Sequence, residues 1–123
     1  MKLFLVLFLS FQATAYSMPI SEEIAVKCLI GEAGNQGFEG MQAVGEVLRL
    51  RGSIKGLYGC KNRVFSHSSP KLRKQALSAW KASKTSNLTK KATHFENIEV
   101  FGEPYWAKGM TKTVKIKDHT FLK

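Results

Sequence analysis

The hydrophobic period of this chain changes once, at Ala92, and that change limits what the chain can become. From Ser21 to Ser83, apolar residues recur largely at helical spacing. From Ala92 onward they tend to alternate, as in Thr111-Lys112-Thr113-Val114-Lys115-Ile116-Lys117. A helical part followed by short segments of period two predicts an α+β fold, with a small antiparallel sheet towards the C-terminus.

Three helices are legible in the first part. Ser21 is a natural N-cap, with Glu22 and Glu23 in the first turn, and Ile24, Cys28 and Leu29 share one face. The small-residue break Gly34-Asn35-Gln36-Gly37 precedes a second helix from about Phe38 to Arg51, with Met41, Val44, Val47 and Leu48 as its stripe. Gly52 is placed to end it. Gly40 and Gly45 inside that helix predict a close backbone neighbour, for which the first helix is the candidate. Residues 52–69 read as loop. Ser69-Pro70 then opens a third helix to about Ser83, with Leu72, Ala76, Leu77, Ala79 and Trp80 inward. In the later part, both Ala92–Asn97 and Ile98–Phe101 look extended, and Gly102-Glu103-Pro104 forms a turn.

The residue that invites a chemical reading is Glu32. The apolar-faced segment Ile24–Ile30 runs into Gly31, then into this acid, then into the break. Apolar neighbours raise a carboxyl pKa, and a break leaves room for a substrate oxygen, two needs of an acid catalyst. The other reading is a carboxylate that solvates a helix end. Residue chemistry leaves both open.

The first fifteen residues carry the marks of an export signal: Lys2, the apolar run Leu3–Phe11 and the small-x-small Ala13-Thr14-Ala15. The run is too short to span a bilayer, so cleavage is expected, leaving one domain over residues 16–123. Export places the protein in the periplasm, the cell wall or the extracellular space. There Cys28 and Cys60 can close a disulfide, or remain two buried thiols. Neither the cysteine spacing nor the scattered histidines build a metal site, and no cofactor is expected. Without Lys2, 18 Lys and Arg residues face nine acids. Most of the lysines are spread from Lys55 to Lys123 rather than gathered in one run, which suits a diffuse attraction to an anionic polymer such as peptidoglycan. The basic residues provide no interleaved Arg and aromatic pattern for nucleic acid and no basic amphipathic helix for membranes.

Several blocks, in order, resemble the spore cortex-lytic enzyme or cell wall hydrolase family. They are Gly31-Glu32-Ala33, Phe38-Glu39-Gly40, Ala43-Val44, Phe65-Ser66, Ala92-Thr93-His94-Phe95 and Pro104-Tyr105-Trp106-Ala107, then Met110, Thr113, Ile116, His119 and Phe121. The resemblance covers nearly all of residues 16–123 and implies a lysozyme-like catalytic domain acting as a monomer on peptidoglycan glycan strands. It makes Glu32 the catalytic acid for the bond between N-acetylmuramic acid and N-acetylglucosamine. It also implies lytic transglycosylase chemistry, in which the muramic C6 hydroxyl closes a 1,6-anhydro ring. Glu32 would act first as acid and then as base.

Glu39, Phe65, His94, Phe95, Asn97, Tyr105 and Trp106 are the candidate substrate-binding residues. Glu39 would support the site by hydrogen bonding or serve as a helix-start charge, and it is the motif-matched second carboxylate for a hydrolytic route. Tyr105 and Trp106 suit a groove wall or a small core, whereas Trp80 reads as core. His94 suits substrate bonding, or support of the backbone near Glu32.

The chain departs from the family pattern at three places. Gly34-Asn35-Gln36 stands where Arg-Gly-Glu is usual, Leu50 where asparagine is common, and His67 about where the family commonly has an aromatic residue. The first change removes a charged pair beside Glu32. This keeps open a second reading, a peptidoglycan-binding module that has lost turnover.

Overall fold

The computed structural model describes residues 19–61 and 63–123. The export signal and the cleavage point expected near Tyr16 lie outside them. Among the described residues, no helix is long and apolar enough to cross a membrane.

Three helices form the larger layer: α1 (Glu22–Ala33), α2 (Gly37–Arg51) and α3 (Pro70–Ala82). Ser21 caps α1 by accepting from the Ile24 amide, and Ser69 caps α3 by accepting from the Leu72 amide, with Pro70 in its first turn. Gly52 ends α2 in the left-handed region at φ 64°. The core gathers Ala25, Cys28, Leu29, Ile30 and Ala33 of α1 with Met41, Val44, Val47 and Leu48 of α2 and Ala76, Ala79 and Trp80 of α3. Ile24 departs from the expected stripe and is 44% exposed. The inward face of α1 instead starts from Ala25, which is fully buried.

The predicted loop between α2 and α3 contains two 3₁₀ turns, Tyr58–Lys61 and Arg63–Phe65. A disulfide joins Cys28 of α1 to Cys60 in the first turn, across a separation of 32 residues. Loop-closure entropy makes such a link worth about 3–4 kcal/mol.

The smaller layer is a three-stranded antiparallel sheet in the order β1 (His94–Glu96), β3 (His119–Leu122), β2 (Lys112–Ile116). Phe95 faces Phe121 across β1 and β3, and the β2 ladder shifts register between Lys112 and Val114. This is the α+β arrangement predicted from the change in period. Residues 98–101 differ from expectation, because they form a single helical turn, α4 (Ile98–Phe101). The Asn97 side chain accepts from the Val100 amide and turns the chain, leaving Val100 and Phe101 70% and 76% exposed.

The glycines of α2 also differ from expectation. A Cβ on Gly45 would lie 2.8 Å from Ser83 Oγ, so Gly45 admits the end of α3 rather than α1. A Cβ on Gly40 would lie 2.3 Å from Gln36 Cβ, so Gly40 makes room for that side chain. Arg49 reinforces the α2–α3 contact. Its guanidinium covers the Trp80 ring at 3.7 Å and donates to Trp80 O and Ser83 Oγ.

Glu46 is buried within α2 and receives donors from Ser86 Oγ (2.5 Å), Leu88 N (2.8 Å), Thr89 N (2.9 Å) and Thr89 Oγ1 (3.0 Å). Thr113, at the register shift, donates in turn to Thr89 O at 2.7 Å. One carboxylate thus ties the helical layer to the sheet through residues 86–89. Glu46→Ala leaves these donors without a partner, and we expect a loss of about 3 kcal/mol. In a thermal melt this is a drop on the order of 15 °C, whereas Ser86→Ala, which removes one donor, should cost about 1 kcal/mol.

Candidate active site

Glu32 occupies the α1 stripe of Ala25, Cys28 and Leu29, at the position where helical spacing would place another core residue. The stripe ends there because α1 stops at Ala33, and a cleft opens beside it. What approaches Glu32 most closely is the backbone of the first 3₁₀ turn. A Cβ on Gly31 would lie 1.8 Å from Gly59 O, and one on Gly59 would lie 2.7 Å from Glu32 Cδ. Glycine at both positions lets the two backbones touch, with the Cys28–Cys60 disulfide alongside. Their approach brings the Gly59 N–H to Glu32 Oε1, to which it donates at 2.7 Å.

The cleft has a volume of about 900 Å³. Gly31, Glu32, Gly59 and Tyr58 form one side. His94, Phe95, Glu96 and Asn97 contribute the strand side, with Val100, Phe101 and Trp106 beyond them. Asn35, Gln36, Arg51, Asp118 and His119 complete the lining. Three of the nine acids of the chain are therefore in this cleft, against one of its 19 Lys and Arg residues. In a chain of formal net charge +10, the cleft is locally acidic.

These surroundings set the protonation of the site. Burial pushes the Glu32 carboxyl above its ordinary value, the Gly59 amide partly opposes the rise, and the charge of Glu96 adds to it. The His94 ring is held below its ordinary value by burial and by the Arg51 charge. Burial lowers His119 as well, with Glu96 and Asp118 opposing. Both rings are thus neutral at neutral pH. His94 Nδ1 lies 2.8 Å from Thr93 Oγ1, and its ring centroid is 5.1 Å from that of Trp106.

The break between α1 and α2 has its own anchor. Gln36 Nε2 donates to Asp118 Oδ2 at 3.0 Å, and Gln36 Oε1 accepts from the Asp118 amide at 2.9 Å. This paired contact fastens the start of α2 to the β2–β3 turn at the cleft edge. Gln36, at one of the positions that depart from the family pattern, is therefore buried and doubly bonded.

Of the candidates named from sequence, Glu32, His94, Phe95, Asn97 and Trp106 line the cleft, while Glu39, Phe65 and Tyr105 do not. Glu39 is exposed in the first turn of α2, where a negative charge suits the helix N-terminus. Phe65 packs against the core under the Arg73 guanidinium, 4.5 Å from its ring. Tyr105 is 92% exposed, since the 3₁₀ turn Tyr105–Ala107 directs Ala107 inward. Glu96, Tyr58 and Phe101 belong to the cleft and were not singled out by sequence. For Glu96 the available signal was its place between Phe95 and Asn97, inside the late block.

No protein-family model matches the chain, and no curated protein is detectably similar in sequence. Two solved structures share its architecture. One is the catalytic domain of the germination-specific lytic transglycosylase SleB from Bacillus anthracis, at 17% identity and TM-score 0.62, covering 83% of this chain and 93% of that one. The other is the catalytic domain of the Bacillus cereus SleB protein, at 17% identity and TM-score 0.59, covering 90% of this chain and 99% of that one. This chain has the α+β fold of the SleB catalytic domains.

Proposed function

We propose that this protein is an exported peptidoglycan-cleaving enzyme that breaks the bond between N-acetylmuramic acid and N-acetylglucosamine, with Glu32 as general acid. The observation that carries the reading is Glu32 itself: a carboxyl of raised pKa at the wall of an open cleft, with one oxygen fixed by the Gly59 amide. A carboxyl of this kind keeps its proton further into the pH range of a cell wall than an exposed one. The fold supports the reading through the two SleB domains, one of which is described as a lytic transglycosylase.

In the reaction, Glu32 protonates the glycosidic oxygen on N-acetylglucosamine as the muramic C1–O bond breaks. The resulting carboxylate then takes the proton of the muramic C6 hydroxyl as that oxygen closes on C1. This leaves a 1,6-anhydro end and returns Glu32 to its starting form. Trp106, Phe101 and Tyr58 offer rings for sugar faces, and Asn97 and the neutral His94 offer polar groups for hydroxyls and N-acetyl groups. The basic remainder of the surface holds the protein to an anionic wall.

The experiment is release of soluble glycan fragments from purified peptidoglycan across pH. The acid form of Glu32 is lost as pH rises through its raised pKa, so the rate should fall on that side. The fall should be centred above the ordinary carboxyl range. A centre within the ordinary range, or binding without release, would contradict the proposal.

A further inference from the structure

We propose that Glu96 is a second catalytic carboxylate of this cleft, the base that delivers water to the muramic C1 and diverts a share of turnovers from ring closure to hydrolysis. This rests on the glycosidase reading above and adds a second product to it.

The first ground is placement. Glu96 ends β1 and lines the same cleft as Glu32, which α1 supplies, so the two carboxyls come from different elements to one cavity. Glu39, the motif-matched second acid in the sequence, is outside that lining. The second ground is what Glu96 does not do. Its neighbours Glu99 and Glu103 pair with Lys115 and Lys112 on the sheet surface. Glu96, in the same basic chain, pairs with no cation among the described residues. One of its oxygens accepts from the Asn97 amide at 3.0 Å, which orients the carboxylate, and the other has no hydrogen-bond donor among them.

The third ground is the division of labour. Burial, with the Glu96 charge adding to it, raises the Glu32 carboxyl and favours an acid that still holds its proton, while the second oxygen of Glu96 is open to a water. That is the pairing hydrolysis needs. Glu32 gives its proton to the leaving oxygen as the C1–O bond breaks, and the bonding electrons go to that oxygen. A water oxygen then bonds to C1 while one of its protons passes to Glu96. Solvent returns that proton to Glu32. The sum is one glycosidic bond and one water converted to a reducing muramic end and a free 4-hydroxyl.

The test is cleavage of purified peptidoglycan in ¹⁸O-water by the wild type, Glu96→Gln and Glu96→Ala, with product ends read by mass spectrometry and folding checked by thermal melts. Wild type should give anhydro ends together with reducing muramic ends carrying one ¹⁸O. In Glu96→Gln the labelled ends should fall on the order of 100-fold, while anhydro ends persist. Added formate should restore labelled ends in Glu96→Ala, which a merely structural role for Glu96 would not predict. If neither variant folds, Glu96→Asp carries the comparison, with a reduced labelled share expected. An unchanged labelled share in the folded variants, or anhydro ends alone from the wild type, overturns the proposal. A wild type that releases nothing overturns the glycosidase reading and this proposal with it.

Discussion

Glu32→Gln is expected to lower strand cleavage by on the order of 10³-fold or more, because it removes the proton donated to the leaving oxygen. The amide keeps nearly the same shape, and its oxygen can still accept from the Gly59 N–H, so the wall of the cleft should hold. Stability separates this from a folding defect. A carboxyl whose native pKa is raised binds its proton more tightly in the native state than in the unfolded one. Its contribution to stability is full below the unfolded pKa and declines as pH rises through the native pKa. The neutral amide avoids burying an ionised carboxylate, so Glu32→Gln should melt no lower than wild type at neutral pH. Loss of activity together with a lower melting temperature would make Glu32 a structural residue.

Gly31→Ala is expected to cost about 3 kcal/mol or more and to lower activity as well. The added Cβ would lie 1.8 Å from Gly59 O, so either α1 or the first 3₁₀ turn must move. Because both are backbone and the Cys28–Cys60 disulfide joins the two segments nearby, a side-chain rotation cannot relieve the overlap. The displacement also takes the Gly59 amide from Glu32, and a shift of about 1 Å at a reacting group can cost ~100-fold in rate. Gly37→Ala provides the contrast. Gly37 has φ +73° and nothing within 4 Å of an added Cβ, so only the left-handed backbone is penalised, by about 1 kcal/mol. Thermal melts and fragment-release rates on the two variants check both expectations. Equal behaviour would mean that the Gly31–Gly59 contact is not what positions Glu32.

Glu32 was visible as an acid between an apolar-faced segment and a small-residue break, a placement that residue chemistry left open between catalysis and solvation of a helix end and that the family resemblance turned towards catalysis; the caps at Ser21 and Ser69 and the alternation of residues 111–117 are local signals. Glu96 broke no pattern. On an alternating strand a glutamate resembles any solvated-face residue, and only the folding of β1 against the end of α1 brings it to the cleft. Glu46 was hidden for the same reason, since its donors come from residues 86–89, some forty positions later. Ile98–Phe101 read as strand from its β-branched and aromatic residues, but the Asn97 cap decides the local backbone. The glycines of α2 told of close packing without telling which partner was close; that partner is α3 at Gly45 and Gln36 at Gly40.

In the proposed function, Glu32 drives cleavage between N-acetylmuramic acid and N-acetylglucosamine. The most direct test is mass spectrometry of the new chain ends released from purified peptidoglycan by the wild type and by Glu32→Gln. Muramic acid is expected at every new end, anhydro or reducing, from the wild type, and no new ends from the variant. New ends on N-acetylglucosamine, cuts in the peptide stems, or the same fragments from Glu32→Gln would contradict it.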